Sequence, residues 1–281
     1  MSLHIFYHPL YSSLTLPERH RFPLAKYQGL FELLQAQGYP LGEAPAATRE
    51  QICRIHDADY VAAALSGQLE ERAIRKIGFP WSPMLMERTL RSVGATIAAS
   101  RYALEQGCGL QISGGYHHAH RDHGSGFCLF NDLVIAAQAC LDEGRCEQVL
   151  IIDLDVHQGD GSAALCAGRR DIITLSLHGE HNFPHHKAAS HLDFPLPSGM
   201  TDDAYLTTLQ QALSLALRLY SPDLILYQAG VDVHHADELG YLSLSEKGCA
   251  CAMPWYLTVQ SSMGCLSPLY PVAAIAATGS S

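Results

Sequence analysis

Residues 148–161 read QVLIIDLDVHQGDG, from Gln148 to Gly161. The apolar, β-branched run at its start, Gln148 to Asp153, is too short for a helix and is bounded by polar sequence, which marks a strand buried on both faces. Beyond it Asp153, Asp155 and His157 recur at every second position, so a chain still extended there points all three to one side. Three more runs repeat the pattern: Gly109 to Ser113 (GLQIS), Ile172 to Leu177 (IITLSL) and Leu224 to Gln228 (LILYQ). Stretches with helical periodicity lie around and between them, at Pro83 to Glu105, Asp132 to Leu141 and Thr201 to Tyr220. Such alternation predicts an α/β domain with helices on both faces of a mainly parallel sheet. Ligands of such sheets bind beyond the carboxyl ends of the strands, so the residues that follow each run are the ones to examine.

After Ser113 comes GGYHHAHRDHGSGFCLFND, with His117 and His118 adjacent; after Gln228 comes AGVDVHH, with Asp232. Three strand ends therefore deliver imidazoles and carboxylates to one region. Asp155 and His157, with a third ligand such as Asp232, could hold a divalent cation and leave a coordination position open for water, the arrangement of a catalytic zinc site. Two carboxylates cancel the charge of such an ion and acidify its water less than three histidines would, so a nearby general base is needed. His117 and His118 are candidates, with Asp153 and Asp160 available to fix their tautomers. Taken singly, an Asp-x-Asp after a strand is a common turn or helix cap, and a His-His pair a common solvated loop. Their coincidence at successive strand ends favours a metal-dependent hydrolytic site.

Composition narrows the partners. The chain has 281 residues, 48% hydrophobic and 16% charged, with 28 acidic against 18 basic residues and a net charge of -10. That balance argues against a disordered chain and against a basic nucleic-acid-binding domain. Nine scattered cysteines without a Cys-x-x-Cys pair do not form a disulfide framework or a zinc finger. No apolar run approaches the roughly 20 residues that cross a bilayer, and the start MSLHIFYHPLYSS has no signal-peptide pattern, so the expected location is the cytoplasm with no membrane partner.

These motifs resemble the histone deacetylase family of the arginase/deacetylase superfamily, most closely its class IV branch and bacterial relatives. The likeness runs through YHPLYSSLTLPERHRFPLAKY, IHDADYV, ISGGYHHAHRDHGSGFCLFND, LIIDLDVHQGDG, FPLPSGMTDDAYL and QAGVDVHHADELGYLSLSE, covering residues 1–247. It implies a three-layer αβα fold and assigns roles by position. Asp155, His157 and Asp232 correspond to the zinc ligands, with ferrous iron as an alternative ion. His117 and His118 match the paired active-site histidines, His118 as general base and His117 as a protonated electrostatic partner, backed by Asp153 and Asp160 respectively. Gly126 and Phe127 match the walls of the tunnel around the acyl-lysine stem, with Phe183 as the second aromatic wall. A structural potassium ion would be held by groups of Asp153, Asp155, His157, Ser176 and Leu177. The implied substrates are acyl-lysine in proteins, acylated polyamines or other small N-acyl amines.

The likeness breaks in the last 34 residues, 248–281. The family carries a tyrosine in a Gly-Gly-Gly-Tyr-like segment that donates to the developing oxyanion. Near residue 275 this chain reads PVAAIAATGSS, and Tyr270 stands between Leu269 and Pro271 without glycines. From Cys249 to Ser281 the 33 residues contain no Asp, Glu, Lys, Arg or His and three of the nine cysteines. The expectation is a deacetylase-like body, 1–247, and an atypical tail that lacks the usual helix and core strand, through a frame shift near Gly248, a truncation with a foreign tail, or divergence. Three readings follow: a zinc-dependent deacylase; an impaired homologue that binds metal and acyl amine but turns over little; and a binuclear manganese ureohydrolase, disfavoured because Val233-His234 stand where a second carboxylate is needed. Oligomeric state is left open.

Lesser signals have bland readings. The histidines at 178, 181, 185, 186 and 191 are read as a loop on the site's rim rather than a second metal site. His234 and His235 follow a ligand position without a role of their own. Cys128 is read as a buried inert thiol, and Asp202 and Asp203 as a helix start.

Overall fold

The computed structural model describes residues 2–252 and 272–276. The described residues contribute eight strands: β1 (Ser2–Tyr7), β2 (Leu41–Glu43), β3 (Gly107–Gln111), β4 (Val149–Asp153), β5 (Ile172–Gly179), β6 (Leu192–Leu196), β7 (Leu224–Ala229) and β8 (Val272–Ala276). They form one sheet in the order β2-β1-β3-β8-β7-β4-β5-β6, every pairing parallel. Among the described residues the helices are α1 (Ala25–Ala36), α2 (Arg49–Cys53), α3 (Ala58–Ser66), α4 (Glu71–Ile77), α5 (Pro83–Gln106), α6 (Asp132–Asp142), α7 (Asp160–Cys166) and α8 (Asp202–Leu219), and residues 246–252 are helical as well.

The buried strands explain the layering. In β4, Val149 and Ile151 join one apolar cluster while Leu150 and Ile152 join another, and β7 divides Leu224 and Leu226 from Ile225 and Tyr227 in the same way. The first cluster takes in residues of α5 and α6, and the second takes Tyr205, Leu209, Leu213 and Ala216 from α8. Period-two side chains on fully buried strands thus require a helix layer on each face, giving an αβα sandwich.

The long helix α5 begins at Ser82, whose hydroxyl accepts the Leu85 N–H at 3.0 Å, with Pro83 in the first turn where no amide partner is lost. It presses close on β3: a Cβ at Gly109 would lie 2.1 Å from the carbonyl oxygen of Ala99. Only glycine admits that approach. The expected strand Gly109 to Ser113 is shifted to Gly107–Gln111, because the chain leaves the ladder toward Gly114, at φ +94°. The other expected elements agree with the structure to within two residues at either end.

The tail departs from the expectation in two respects. Residues 246–252 are helical, and residues 272–276 (VAAIA) form β8, which fills the slot between β3 and β7 with Ile275 in register with both Gln111 and Gln228. Tyr270, Cys265 and the prolines at 254, 268 and 271 lie outside the described residues. Among the described residues no helix is long and apolar enough to cross a membrane.

Successive connections leave β3 and β4 on opposite sides of the slot that β7 and β8 occupy, so the strand order reverses there. The reversal opens a crevice at the carboxyl ends of the central strands. His117, His118, Gly126, Phe127, Asp155, His157, Phe183 and Asp232 all line it.

Candidate active site

Asp155, His157 and Asp232 converge beyond β4 and β7, offering ligand atoms that lie within 4.8 Å of one another. His157 Nδ1 is 3.0 Å from Asp155 Oδ1 and 3.1 Å from Asp232 Oδ2. The carboxylates are aimed by the main chain: Asp155 Oδ1 accepts the His157 N–H and Asp232 Oδ1 accepts the Val156 N–H, both at 2.9 Å. Both aspartates are buried, and among the described residues neither pairs with a lysine or arginine. Burial works against a charged imidazole, but the two carboxylates prevail and push His157 up to about 10. Two buried carboxylates that bond only to imidazole and main-chain N–H groups fit a divalent cation, since the oxygen, oxygen and nitrogen donor set suits one and a bound ion would replace the bridging proton.

The paired histidines stand beside this group with ring centroids 4.0 Å apart. Their loop is anchored by Asp132 at the start of α6, which accepts the Tyr116 N–H at 2.7 Å and the Gly115 N–H at 3.2 Å. His117 Nδ1 lies 2.6 Å from Asp153 Oδ2, and Asp153 Oδ1 in turn accepts the Asp155 N–H at 3.1 Å. His118 Nδ1 lies 2.7 Å from Asp160 Oδ1. In both rings Nδ1–H therefore donates to carboxylate, which leaves Nε2 for the site. Burial opposes protonation of each, but Asp153 and Asp155 push His117 up to about 9, whereas burial and the neighbouring charge of His117 push His118 down to about 4 despite Asp160. One ring is held as a cation and the other as a free base.

A cavity of about 550 Å³ reaches this cluster, lined by Gly126, Phe127 and Phe183 as well as by both histidines and all three ligand candidates. Phe183 meets His118 edge-on at 4.9 Å. Gly126 is at φ +52°, and a Cβ there would come within 2.7 Å of His118 Cδ2. Phe127, at φ +65°, is the single non-glycine residue with positive φ among the described residues, a strained backbone of the kind that collects at functional sites.

Ser176 is opposite Asp153 in the β4–β5 register, and Leu177 follows it with its side chain in the core, so only its carbonyl is available to an ion. His181 and His185 line the cavity, His178 is buried against Ser176, and His191 bonds Thr174 and the Arg169 carbonyl. Among the described residues the histidine run forms no metal-holding group. Cys128 is buried, with burial raising its thiol well above the usual range, and His235 Nδ1 contacts the Leu244 carbonyl. Asp202 holds the N–H and hydroxyl of Ser245, a structural role.

Gln228, whose Nε2 lies 3.1 Å from His117 Nδ1, belongs to no motif, and a polar residue closing an apolar strand is its one signal in the sequence. His120, which contacts Asp160, and Arg88, which is fully buried against Tyr11 and Tyr116, also stand outside the expected site residues. Nothing in the local pattern marks Arg88.

Residues 20–267 match the family model described as the histone deacetylase domain. The chain is 40% identical over 283 residues to an uncharacterized protein of Picosynechococcus sp., covering 99% of this chain and 92% of that one. That alignment continues past Gly248. Identity to histone deacetylase 2 of Arabidopsis thaliana is 29% over 250 residues, 84% of this chain and 65% of the plant protein. Identity to the histone deacetylase-like amidohydrolase of Pseudomonas aeruginosa is 31% over 231 residues, 73% of this chain and 57% of that protein.

Proposed function

The chain belongs to the histone deacetylase family, a deacetylase-type hydrolase, and from that premise we propose that it removes acyl groups from acyl-lysine or related small N-acyl amines. The observation that carries this reading is the pair His117 and His118, each bonded through Nδ1 to its own aspartate, beside a buried Asp-His-Asp group on the wall of the same cavity. Asp155, His157 and Asp232 would hold zinc, or ferrous iron, which when bound supplies Lewis acidity to the acyl carbonyl.

The chain's own residues do the rest. Gly126, Phe127 and Phe183 enclose the stem and keep bulk water from it. His118, a free base with its Nδ1–H given to Asp160, accepts a proton at Nε2 from the hydrolytic water. His117 keeps its proton and sets a positive charge beside the developing oxyanion. The leaving nitrogen takes its proton from His118, so no group needs to be reset by solvent. A structural potassium ion at Asp153, Asp155, His157, Ser176 and Leu177 belongs to the same proposal.

A second reading is favoured by the absence of a Gly-Gly-Gly-Tyr-like segment near residue 275. In it the chain binds metal and acyl amine but turns over slowly, since loss of one oxyanion donor costs about 10²- to 10³-fold. The test is an assay of purified protein, metal content measured, on acetyl-lysine and longer acyl-lysine peptides and an acetylated polyamine. We expect turnover that disappears in His118→Ala. Tight metal binding without turnover on any of these would move the conclusion to the second reading.

A further inference from the structure

Behind each catalytic-site histidine stands an aspartate, and each aspartate has a second oxygen that must be held if the first is to stay in place. The carboxylate torsion is soft, so one hydrogen bond does not fix its plane. Asp153 gives its second oxygen to the main-chain N–H of Asp155. Among the described residues Asp160 has no such main-chain contact; its Oδ2 instead lies 3.2 Å from Nε2 of His120.

His120 is built for that contact. Its N–H donates to the His123 carbonyl at 2.9 Å, and its own carbonyl accepts from Nδ1 of buried His56 at 2.8 Å. Nε2 of His56 accepts the Asn131 N–H at 2.9 Å, tying the loop to the cap of α6. The His120 ring stacks on His123 at 4.6 Å and 12°. Both main-chain polar groups and one ring face are thus occupied, while Nε2 addresses Asp160. His120 is not part of the cavity wall. Side-chain exposure rises from 5% at His118 to 14% at Asp160 and 23% at His120, so water reaches Asp160 and would compete for an unheld oxygen.

We propose that His120 is a positioning residue that acts through Asp160: by donating to Oδ2 it keeps Oδ1 on Nδ1 of His118 and so keeps Nε2 of His118 facing the cavity. The inference rests on the reading of His118 as the base. No bond is made or broken at His120, which touches neither substrate nor ion.

The experiment compares His120→Ala, His120→Gln, which keeps an N–H donor at the same reach, and His120→Asn, which is too short, with His118→Ala as reference. For His120→Ala we expect kcat to fall about 10- to 100-fold, the usual effect of losing an outer partner, with KM unchanged. His120→Gln should recover most of kcat and His120→Asn should not. Unchanged kcat in His120→Ala, or equal loss in the Gln and Asn variants, would overturn the proposal. If the Ala variant shows no melting transition, the Gln and Asn variants make the same comparison. A second readout needs no turnover: the downfield proton resonance of His118 Nδ1–H should persist in the Gln variant and be lost to water exchange in the Asn variant. Its persistence in both would overturn the proposal even for a slow enzyme. Full activity in His118→Ala would instead remove the base assignment, a distinguishable failure.

Discussion

His117 and His118 are neighbours in sequence, each bonded through Nδ1 to an aspartate, yet burial and charge drive them to opposite protonation states. The difference lies in what surrounds each pair. Asp153 and Asp155 both face His117, while His118 has Asp160 alone and the positive ring of His117 beside it. Residue type therefore does not assign acid and base; the second carboxylate does.

Removing each ring is the harshest test of that contrast. His118→Ala should cost about 10²- to 10⁴-fold in kcat, the range for a lost general base, and His117→Ala less, both read by steady-state assay. A reversed ranking would break the assignment. The ligand group comes next. Asp155→Ala should abolish stoichiometric metal, measured by elemental analysis, and saturating metal should raise the stability of the parent by about 3 kcal/mol at a hundredfold excess over Kd. His157 must give up a proton to bind the ion, so affinity should weaken as pH falls, and a pH-independent affinity would contradict the donor set.

Smaller effects separate the two aspartates. Asp153→Asn should bring His117 down from about 9, because its chief counter-charge is gone, and Asp160→Asn should leave His117 where it is; histidine titration by NMR distinguishes them. The smallest effect is on stability. His56, His118 and His178 are each pushed down to about 4, burial being the main cause. The unfolded chain protonates such groups near pH 6.5, so between about 6.5 and 4 it binds protons that the folded chain does not, and stability falls as pH falls across that window. His117 acts in the other direction: its contribution is complete below about 6.5 and is lost as pH rises through about 9. A Tm that does not change with pH across the acid window would contradict the burial of these rings.

Much of the site was legible because strands write it in a simple code. Asp153, Asp155 and His157 alternate directly after an apolar run, and Asp232 follows another, so period and position place them without coordinates. Elements at the sheet margin were harder. β2 has three residues and β6 carries Pro195 with a half-exposed pattern, so neither shows the buried run that gave away β4. His120 was hidden for a different reason: it sits in an irregular loop, where no period says which way a ring points. Its partner, forty residues on at Asp160, is fixed by tertiary packing alone.

Among the described strands β8 comes latest in sequence but occupies the middle of the sheet, where it joins the β2-β1-β3 ladder to the β7-β4-β5-β6 ladder. During synthesis those ladders can each assemble while β3 and β7 still present open edges. The interval before β8 arrives is thus the time at which the nascent chain is most exposed to pairing with other chains, and a chaperone that delays release until the last strand is threaded would raise the yield of folded protein.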